Sequence, residues 1–244
     1  MLLRDLFAKN NEGQLPRCSA VIVAAGYSKR MGSDKLRAEL GGMPVLLRTL
    51  KAFEASPLID EIVVVTRQDK LEEIAELCKN GEISKITNVV TGGKTRAESA
   101  LAGVSATRRD AALIAIHDGA RPLVTSELIL RTIYAAEEYM AAVPVINSPD
   151  TLKLLDDKGN IAATVDRDYT LRVQTPQVFA ADIIKGALTA AVERGLTVTD
   201  DSAAVEMTGV KTRAVQGDEE NIKITSPLDL ELAAAILRMR GELA

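Results

Sequence analysis

Runs of Val, Ile and Ala too apolar for a strand with one wet face recur at 20–25, 61–66, 86–90, 112–117 and 141–146. Between them apolar residues return at helical spacing: Leu46, Leu47, Leu50 and Phe53 just after Pro44, then Leu71, Ile74, Ala75 and Leu77, then Leu128, Ile129, Ile133 and Ala136. This β-α-β-α alternation predicts an α/β protein with a doubly wound, mostly parallel sheet, because crossovers between parallel strands are right-handed and lay helices on both faces. Ligands are then expected in the crevice beyond the carboxyl ends of the strands. The rhythm breaks at T-L-K-L-L-D-D-K-G-N-I-A-A-T-V-D-R, two strand-like runs around a turn, which predicts a β-hairpin. A lone hairpin is marginal in water, so it packs either on its own domain or on a second subunit. Helical runs near 183–192, 201–207 and 228–237 close the chain, separated by strand-like 211–215 and 222–225. We expect an extension at 1–17 followed by a single domain at 18–244, with the hairpin arm at about 148–173.

Composition narrows the function. The chain has 244 residues, of which 47% are hydrophobic, enough for a sizeable core. A net charge of −4 and 3% aromatic residues provide neither the basic footprint nor the stacking platforms of a nucleic-acid binder. Cys18 and Cys78 lack C-x-x-C spacing and, with His117 as the lone histidine, do not make up a structural zinc site. That predicts a reduced, cytoplasmic protein. No apolar run approaches the ~20 residues of a membrane span, and M-L-L-R-D-L-F-A-K-N-N-E lacks the apolar core of a signal peptide.

Candidate chemistry gathers at the predicted strand ends. In A-V-I-V-A-A-G-Y-S-K-R-M-G-S-D-K an apolar strand runs into a loop with Gly26, Gly32, Lys29, Arg30 and Lys35. Glycines let backbone N–H groups approach an anion and the cations add charge, as a phosphate-binding loop requires; a strand-to-helix turn with solvated cations is the other reading. The spacing fits neither the Walker loop nor G-x-G-x-x-G. T-G-G-K-T-R-A-E-S sets Gly92, Gly93, Arg96 and Ser99 around a helix start, suited to polar or anionic ligand atoms or simply capped with Arg96 in solvent. In I-A-I-H-D-G-A-R-P, Asp118 ends a strand where a carboxylate makes a good magnesium ligand once nucleotide phosphates complete the shell. His117 either hydrogen-bonds a neighbouring loop or takes part in catalysis.

The order A-A-G-x-x-x-R-M-x-x-x-K resembles the signature loop of sugar-phosphate nucleotidyltransferases of the cytidylyltransferase branch. With T-V-D-R, V-Q-T-P-Q, T-V-T-D-D-S-A and N-I-K-I-T-S-P-L-D-L, the chain from about residue 20 onward resembles the methylerythritol phosphate cytidylyltransferase family. The resemblance implies a Rossmann-like fold of the nucleotide-diphospho-sugar transferase type, and transfer of CMP from CTP to methylerythritol phosphate with release of pyrophosphate. It implies that Ala24, Ala25, Gly26, Gly93, Arg96 and Ser99 bind the nucleotide, that Arg30, Lys35 and Lys223 act in catalysis, and that Asp118 organises Mg2+ or another divalent cation. Arg121, Thr151, Arg167, Thr175, Thr199 and Lys223 would form the acceptor site, with the arm reaching across a homodimer to the partner's pocket. The chain departs from the family pattern at Leu36, Gly119 and Lys94, where Gln, Ala and an acidic residue are common; the last is expected to alter contacts near the base.

This residue set suits such a reaction. A phosphate monoester has its second pKa near 6, so the nucleophile is already ionised at neutral pH and no general base is needed. The site must instead align two mutually repelling anions and stabilise charge building on the α-phosphate and pyrophosphate. Three other readings compete: the same transfer to ribitol phosphate or another polyol phosphate, a nucleotide-binding module without catalysis, and a dinucleotide-dependent dehydrogenase. The last is disfavoured because no G-x-G-x-x-G follows a predicted strand.

Overall fold

Burial along the strands alternates between two helical layers. In the computed structural model, which describes residues 17–26 and 34–243, the chain runs β1 (Cys18–Val23), β2 (Glu39–Leu40), β3 (Met43–Pro44), α1 (Val45–Glu54), β4 (Ile59–Thr66), α2 (Leu71–Asn80), β5 (Ile86–Thr91), α3 (Arg96–Ser105), β6 (Leu113–Asp118), α4 (Ser126–Tyr139) and β7 (Ala141–Asn147). It continues through β8 (Lys153–Leu155), β9 (Ile161–Thr164), β10 (Leu171–Val173), β11 (Gln177–Ala180), α5 (Ala181–Glu193), α6 (Asp201–Glu206), β12 (Arg213–Gln216) and α7 (Pro227–Met239). Ala20, Ile22, Ile62, Val64 and Ala115 pack beneath α1, α2 and α4 through Leu46, Phe53, Ile74 and Ile133. Their strand neighbours Val21, Val63, Val65, Ile114 and Ile116 pack against α3 and α5 through Val104, Ile184 and Leu188. Period-two alternation with both faces apolar is what a sheet covered on both sides demands. A third, smaller cluster joins Leu40, Val45, Leu123 and Ile224 to Ala233, Ile236 and Leu237 of α7. That helix starts at a Ser226–Asp229 capping box followed by Pro227.

β1 lies at the centre, paired in parallel with β4 on one side and β6 on the other, and β5 extends the β4 side. Chain direction across the sheet therefore reverses between β4 and β6, which opens a crevice at the carboxyl ends of β1 and β6. Beyond β6, β11 runs antiparallel between β6 and β7, and β10 pairs antiparallel farther along β7. Ala142 and Val145 pair with β12 as well as with β11 and β10 respectively, so β12 occupies the opposite edge of β7. The expected mostly parallel α/β architecture is present, with β10 and β11 as its antiparallel element.

Two segments differ from expectation. Strand β11 is not apparent in V-Q-T-P-Q-V-F, where Pro176 interrupts the apolar run. The stretch 222–225, expected as a strand, joins no ladder among the described residues; Ile224 donates its N–H to the Ala120 carbonyl at 2.8 Å and buries its side chain in the third cluster. It crosses the end of the sheet instead of lengthening its edge. The hairpin is present as β8 and β9, which among the described residues pair only with each other and leave Leu154, Leu155 and Ile161 exposed. The predicted extension, apart from Arg17, lies outside the described residues.

Helix α3 sits close on the sheet because Gly103 faces it. A Cβ there would collide with Val21 Cγ1 and Val65 Cγ2. Overpacking of this kind costs about 1–3 kcal/mol, against about 1 kcal/mol regained in helix propensity. Gly103→Ala is expected to lower the midpoint of urea unfolding at unchanged slope, and an equal or higher midpoint would contradict this packing.

Candidate active site

Three carboxyl-edge segments converge on one cleft. After β1, Ala24 continues the sheet by donating to the Val65 carbonyl at 2.7 Å, and after β6 Gly119 donates to the Val23 carbonyl at 2.9 Å. After β5, Gly93 leads into α3, where Thr95 caps the helix by accepting from the Glu98 N–H and Glu98 accepts from the Lys94 N–H at 2.6 Å. Gly93 must be glycine because a Cβ would strike Glu98. Ser99 Oγ accepts from the Gly93 N–H at 3.2 Å and donates to the Thr95 carbonyl at 2.9 Å, which closes the turn. The resulting cavity of about 240 Å³ is lined by Ala24, Ala25, Gly26, Lys35, Gly93, Lys94, Arg96, Ser99, Asp118 and Lys223, among others.

Asp118 forms its charged floor. Its Oδ1 accepts from Arg96 Nη1 at 2.8 Å; its Oδ2 meets Lys223 Nζ at 2.9 Å and Arg121 Nε at 3.4 Å. Burial alone would push this carboxyl up, but Arg96, Lys223 and Arg121 outweigh it and hold Asp118 well below the usual carboxylate range. Arg96 also donates from Nη2 to Asp201 Oδ2 at 2.6 Å. Burial weakens the hold of Arg96 on its proton, yet Asp201 and Asp118 more than compensate, so it stays charged. Three cations against two carboxylates leave one net positive charge on the floor, and Lys35 lies on the wall. Such a floor attracts polyanions.

Beneath the floor, His117 is fully buried against the Phe53 ring. Its Nε2 lies 3.2 Å from the Arg121 carbonyl oxygen, which can only accept, so Nε2 carries the proton. Nδ1 therefore accepts from the Thr175 hydroxyl at 2.9 Å, whose oxygen accepts in turn from the Asp118 N–H at 3.1 Å. Burial lowers the His117 pKa to about 3 and keeps the ring neutral. His117 thus hydrogen-bonds a neighbouring loop and fixes the backbone under Asp118.

The cavity brings together Ala24, Ala25, Gly26, Lys35, Gly93, Arg96, Ser99, Asp118 and Lys223 from the sequence-predicted set; Arg96 bridges two carboxylates instead of sitting in solvent. Arg121 sits beside it, donating to the Asn221 carbonyl at 2.7 Å as well as to Asp118. Thr175, expected to contact the acceptor, is buried under Asp118 with its hydroxyl committed to His117 and the Asp118 N–H, so its place is in the support of the floor. Thr199 is exposed and outside the cavity lining; the cap of α6 is Asp200, which accepts from the Ala203 N–H. Thr151 and Arg167 meet each other on the arm, Arg167 Nη2 donating to Thr151 Oγ1 at 3.0 Å, and neither lines the cavity. Arg30 lies outside the described residues, with Lys29 and Gly32. Two residues were missed. Asn221 is fully buried and donates from Nδ2 to the Thr175 carbonyl, which anchors the segment that presents Lys223. Asp201 reads in sequence as one more acidic residue at a helix start.

The residues present fit a divalent cation in one form. Asp118 is the single carboxylate among the lining residues, and no cluster of three or more His, Cys, Asp or Glu that could hold a metal occurs among the described residues. Magnesium commonly takes one or two carboxylates and completes its shell with substrate phosphates and water. Asp118 suits that arrangement, and an all-protein cage is absent from the described residues.

A doubly wound α/β sheet with a cationic cleft around one carboxylate at its carboxyl edge suits the phosphates of a nucleotide, as a nucleotidyltransferase requires. The family profile described as 2-C-methyl-D-erythritol 4-phosphate cytidylyltransferase matches residues 18–239. A protein of that name from Caldanaerobacter subterraneus subsp. tengcongensis is 44% identical over 223 residues, covering 90% of this chain and 98% of the relative; one from Geobacter metallireducens is 40% identical over 228 residues, covering 90% and 97%. The crystal structure of 4-diphosphocytidyl-2C-methyl-D-erythritol synthase from Anaerococcus prevotii superposes with a TM-score of 0.82 at 35% identity, covering 91% of this chain and 96% of that one. The crystal structure of 2-C-methyl-D-erythritol 4-phosphate cytidylyltransferase from Thermus thermophilus gives 0.72 at 30%, covering 89% and 98%. The chain belongs to the 2-C-methyl-D-erythritol 4-phosphate cytidylyltransferase family.

The His117 environment sets a pH signature. Its folded pKa of about 3 lies below the ordinary 6.5, so between these values the unfolded chain binds a proton that the native state refuses. Stability should fall as pH drops through this window, by up to about 1.4 kcal/mol per pH unit from this group. Asp118, shifted down from 3.8, makes its loss only below that value. Between pH 6.5 and 5 the unfolding free energy of the wild type should fall more steeply than that of His117→Gln; parallel slopes would show that His117 is protonated in the native state.

Proposed function

We propose that this protein transfers the cytidylyl group of CTP to 2-C-methyl-D-erythritol 4-phosphate and releases pyrophosphate, a step in the methylerythritol phosphate route to isoprenoid precursors. The observation that carries this reading is the convergence of Lys35, Arg96, Lys223 and Asp118 on one cleft at the carboxyl edge of the sheet, in a chain that matches the family from 18 to 239.

An oxygen of the acceptor phosphate attacks the α-phosphorus of CTP, a new P–O bond forms, and the α–β bridging P–O bond breaks with its electron pair leaving on pyrophosphate. The acceptor is a dianion at neutral pH, so no proton has to be removed. The sealed, neutral His117 agrees with this, having both ring nitrogens engaged. Ala24, Ala25, Gly26, Gly93 and Ser99 cradle the cytidine, since small residues and turn N–H groups line that end of the cleft. Lys35, with Arg30, takes the triphosphate and stabilises the charge that builds in the transition state. Asp118 would hold a divalent cation, which when bound would supply charge neutralisation at the phosphates. Lys223 and Arg121, braced on Asp118, face the acceptor phosphate.

Thr151 and Arg167 act on the acceptor in a second subunit. This is supported by their position on an arm outside the cavity and by the exposed Leu152, Leu154, Leu155 and Ile161 around them, an apolar surface suited to burial in a homodimer. No helix among the described residues is long and apolar enough to cross a membrane, and both cysteines are free and buried. A cytoplasmic site of action fits these features.

Pyrophosphate release should require CTP and methylerythritol phosphate together and be weak with ribitol phosphate or with the other nucleoside triphosphates; preference for ribitol phosphate would reassign the acceptor. Lys35→Ala should lower turnover by at least ~10²-fold with the fold intact by circular dichroism. Near-normal turnover would remove Lys35 from the phosphate site. Arg167→Ala should raise the Michaelis constant for methylerythritol phosphate and leave that for CTP nearly unchanged; the reverse pattern would exclude an acceptor role for the arm.

A further inference from the structure

Asp201 is the first residue of α6 and is almost completely buried. It does not line the cavity, yet its Oδ2 accepts from Arg96 Nη2 at 2.6 Å, while the other edge of the same guanidinium, Nη1, donates to Asp118 Oδ1 at 2.8 Å. Arg96 Nε is buried without a hydrogen-bond partner among the described residues. The orientation of the guanidinium therefore rests on two carboxylates, one outside the cavity and one on its floor.

The outer carboxylate is itself firmly placed. Its neighbour Asp200 caps α6 and accepts from Gln177 Nε2 at 2.7 Å, and Gln177 Oε1 accepts from the Ser202 N–H at 2.9 Å. Gln177 belongs to β11 in the middle of the sheet. Asp201 thus stands between two residues tied to a strand of the central sheet. A long arginine side chain fixed at one edge alone can follow an incoming polyanion; fixed at both edges it cannot.

We propose that Asp201 is a positioning residue for the transfer reaction: it grips the far edge of Arg96, so that the near edge stays on Asp118 when a triphosphate enters the cleft. The residue touches neither substrate nor reacting atoms and works through Arg96. Without it, Arg96 turns toward the triphosphate and Asp118 loses its fixed partner just when its carboxylate must be held for the phosphates and their cation. The proposal rests on the cytidylyltransferase reading given above.

The test is a double-mutant cycle on the full chain. Turnover and the Michaelis constants for both substrates would be measured by pyrophosphate release with CTP and methylerythritol phosphate in the wild type, Asp201→Asn, Arg96→Ala and the double variant, with thermal midpoints alongside. Asp201→Asn should lower turnover by about 10- to 100-fold, the scale of a small misplacement near reacting groups. In the Arg96→Ala background it should have no further effect on turnover, because the link it acts through is gone. Equal losses in both backgrounds, or unchanged turnover in the first, would overturn the proposal in favour of a purely structural role. Asp201→Asn leaves Arg96 its bond to the Asp118 carboxylate. Should Asp201→Asn not fold, Asp201→Ser carries the same cycle. An inactive wild type would refute the cytidylyltransferase reading itself, a result distinct from an active wild type with an indifferent Asp201.

Discussion

A single buried carboxylate governs the architecture of the cleft. Asp118 ends a central strand, where the sheet and its helices exclude water, and it stays ionised only because Arg96, Arg121 and Lys223 reach it from three directions. A buried charge that loses its partner is strongly destabilising, so each of these cations must be held in turn. Arg96 is held by Asp201, Arg121 by the Asn221 carbonyl, and the segment that carries Lys223 by Asn221 and Ile224. The carboxyl edge is thus a connected electrostatic frame, assembled from residues more than a hundred positions apart.

The same frame separates support from chemistry. His117 is the residue a search for acid–base catalysis selects first, and the structure seals it: neutral, fully buried and with both nitrogens engaged. Its bonds run through Thr175 to the Asp118 N–H and through the Arg121 carbonyl, so it sets the backbone on which the charged groups stand. A reaction between an ionised phosphate and a triphosphate needs no proton shuttle. It needs positive charge at fixed positions, and that is what the frame supplies.

The arm carries the complementary lesson. Thr151 and Arg167 bond to each other at its base, away from the cleft, and a row of apolar side chains beside them faces outward. A two-stranded ribbon with this composition has little reason to persist alone in water. A second copy of the chain is the occupant we propose for that surface.

What the sequence by itself determined is local. The alternating apolar runs specify the parallel core, since a strand covered on both faces has to be apolar throughout; the glycines and Asp118 mark the carboxyl edge, since turns there need close backbone approach; and the D-D-K-G-N turn specifies the arm. Tertiary structure decided everything that depends on long-range pairing. Strand β11 was hidden by Pro176 because its hydrogen bonds are made to β6 and β7, whose proximity no local pattern encodes. The stretch 222–225 has the composition of a strand, yet the bond from Ile224 to Ala120 lays it across the sheet end, and that crossing delivers Lys223 to Asp118. Thr175 is a hydroxyl of no stated orientation until burial turns it inward to His117. Asp201 is an ordinary acid at a helix start until α6, docked on α5, sets it against Arg96. In each case the side chain's role is fixed by a partner distant in the chain, and the electrostatics of burial select that partner only once the layers have packed.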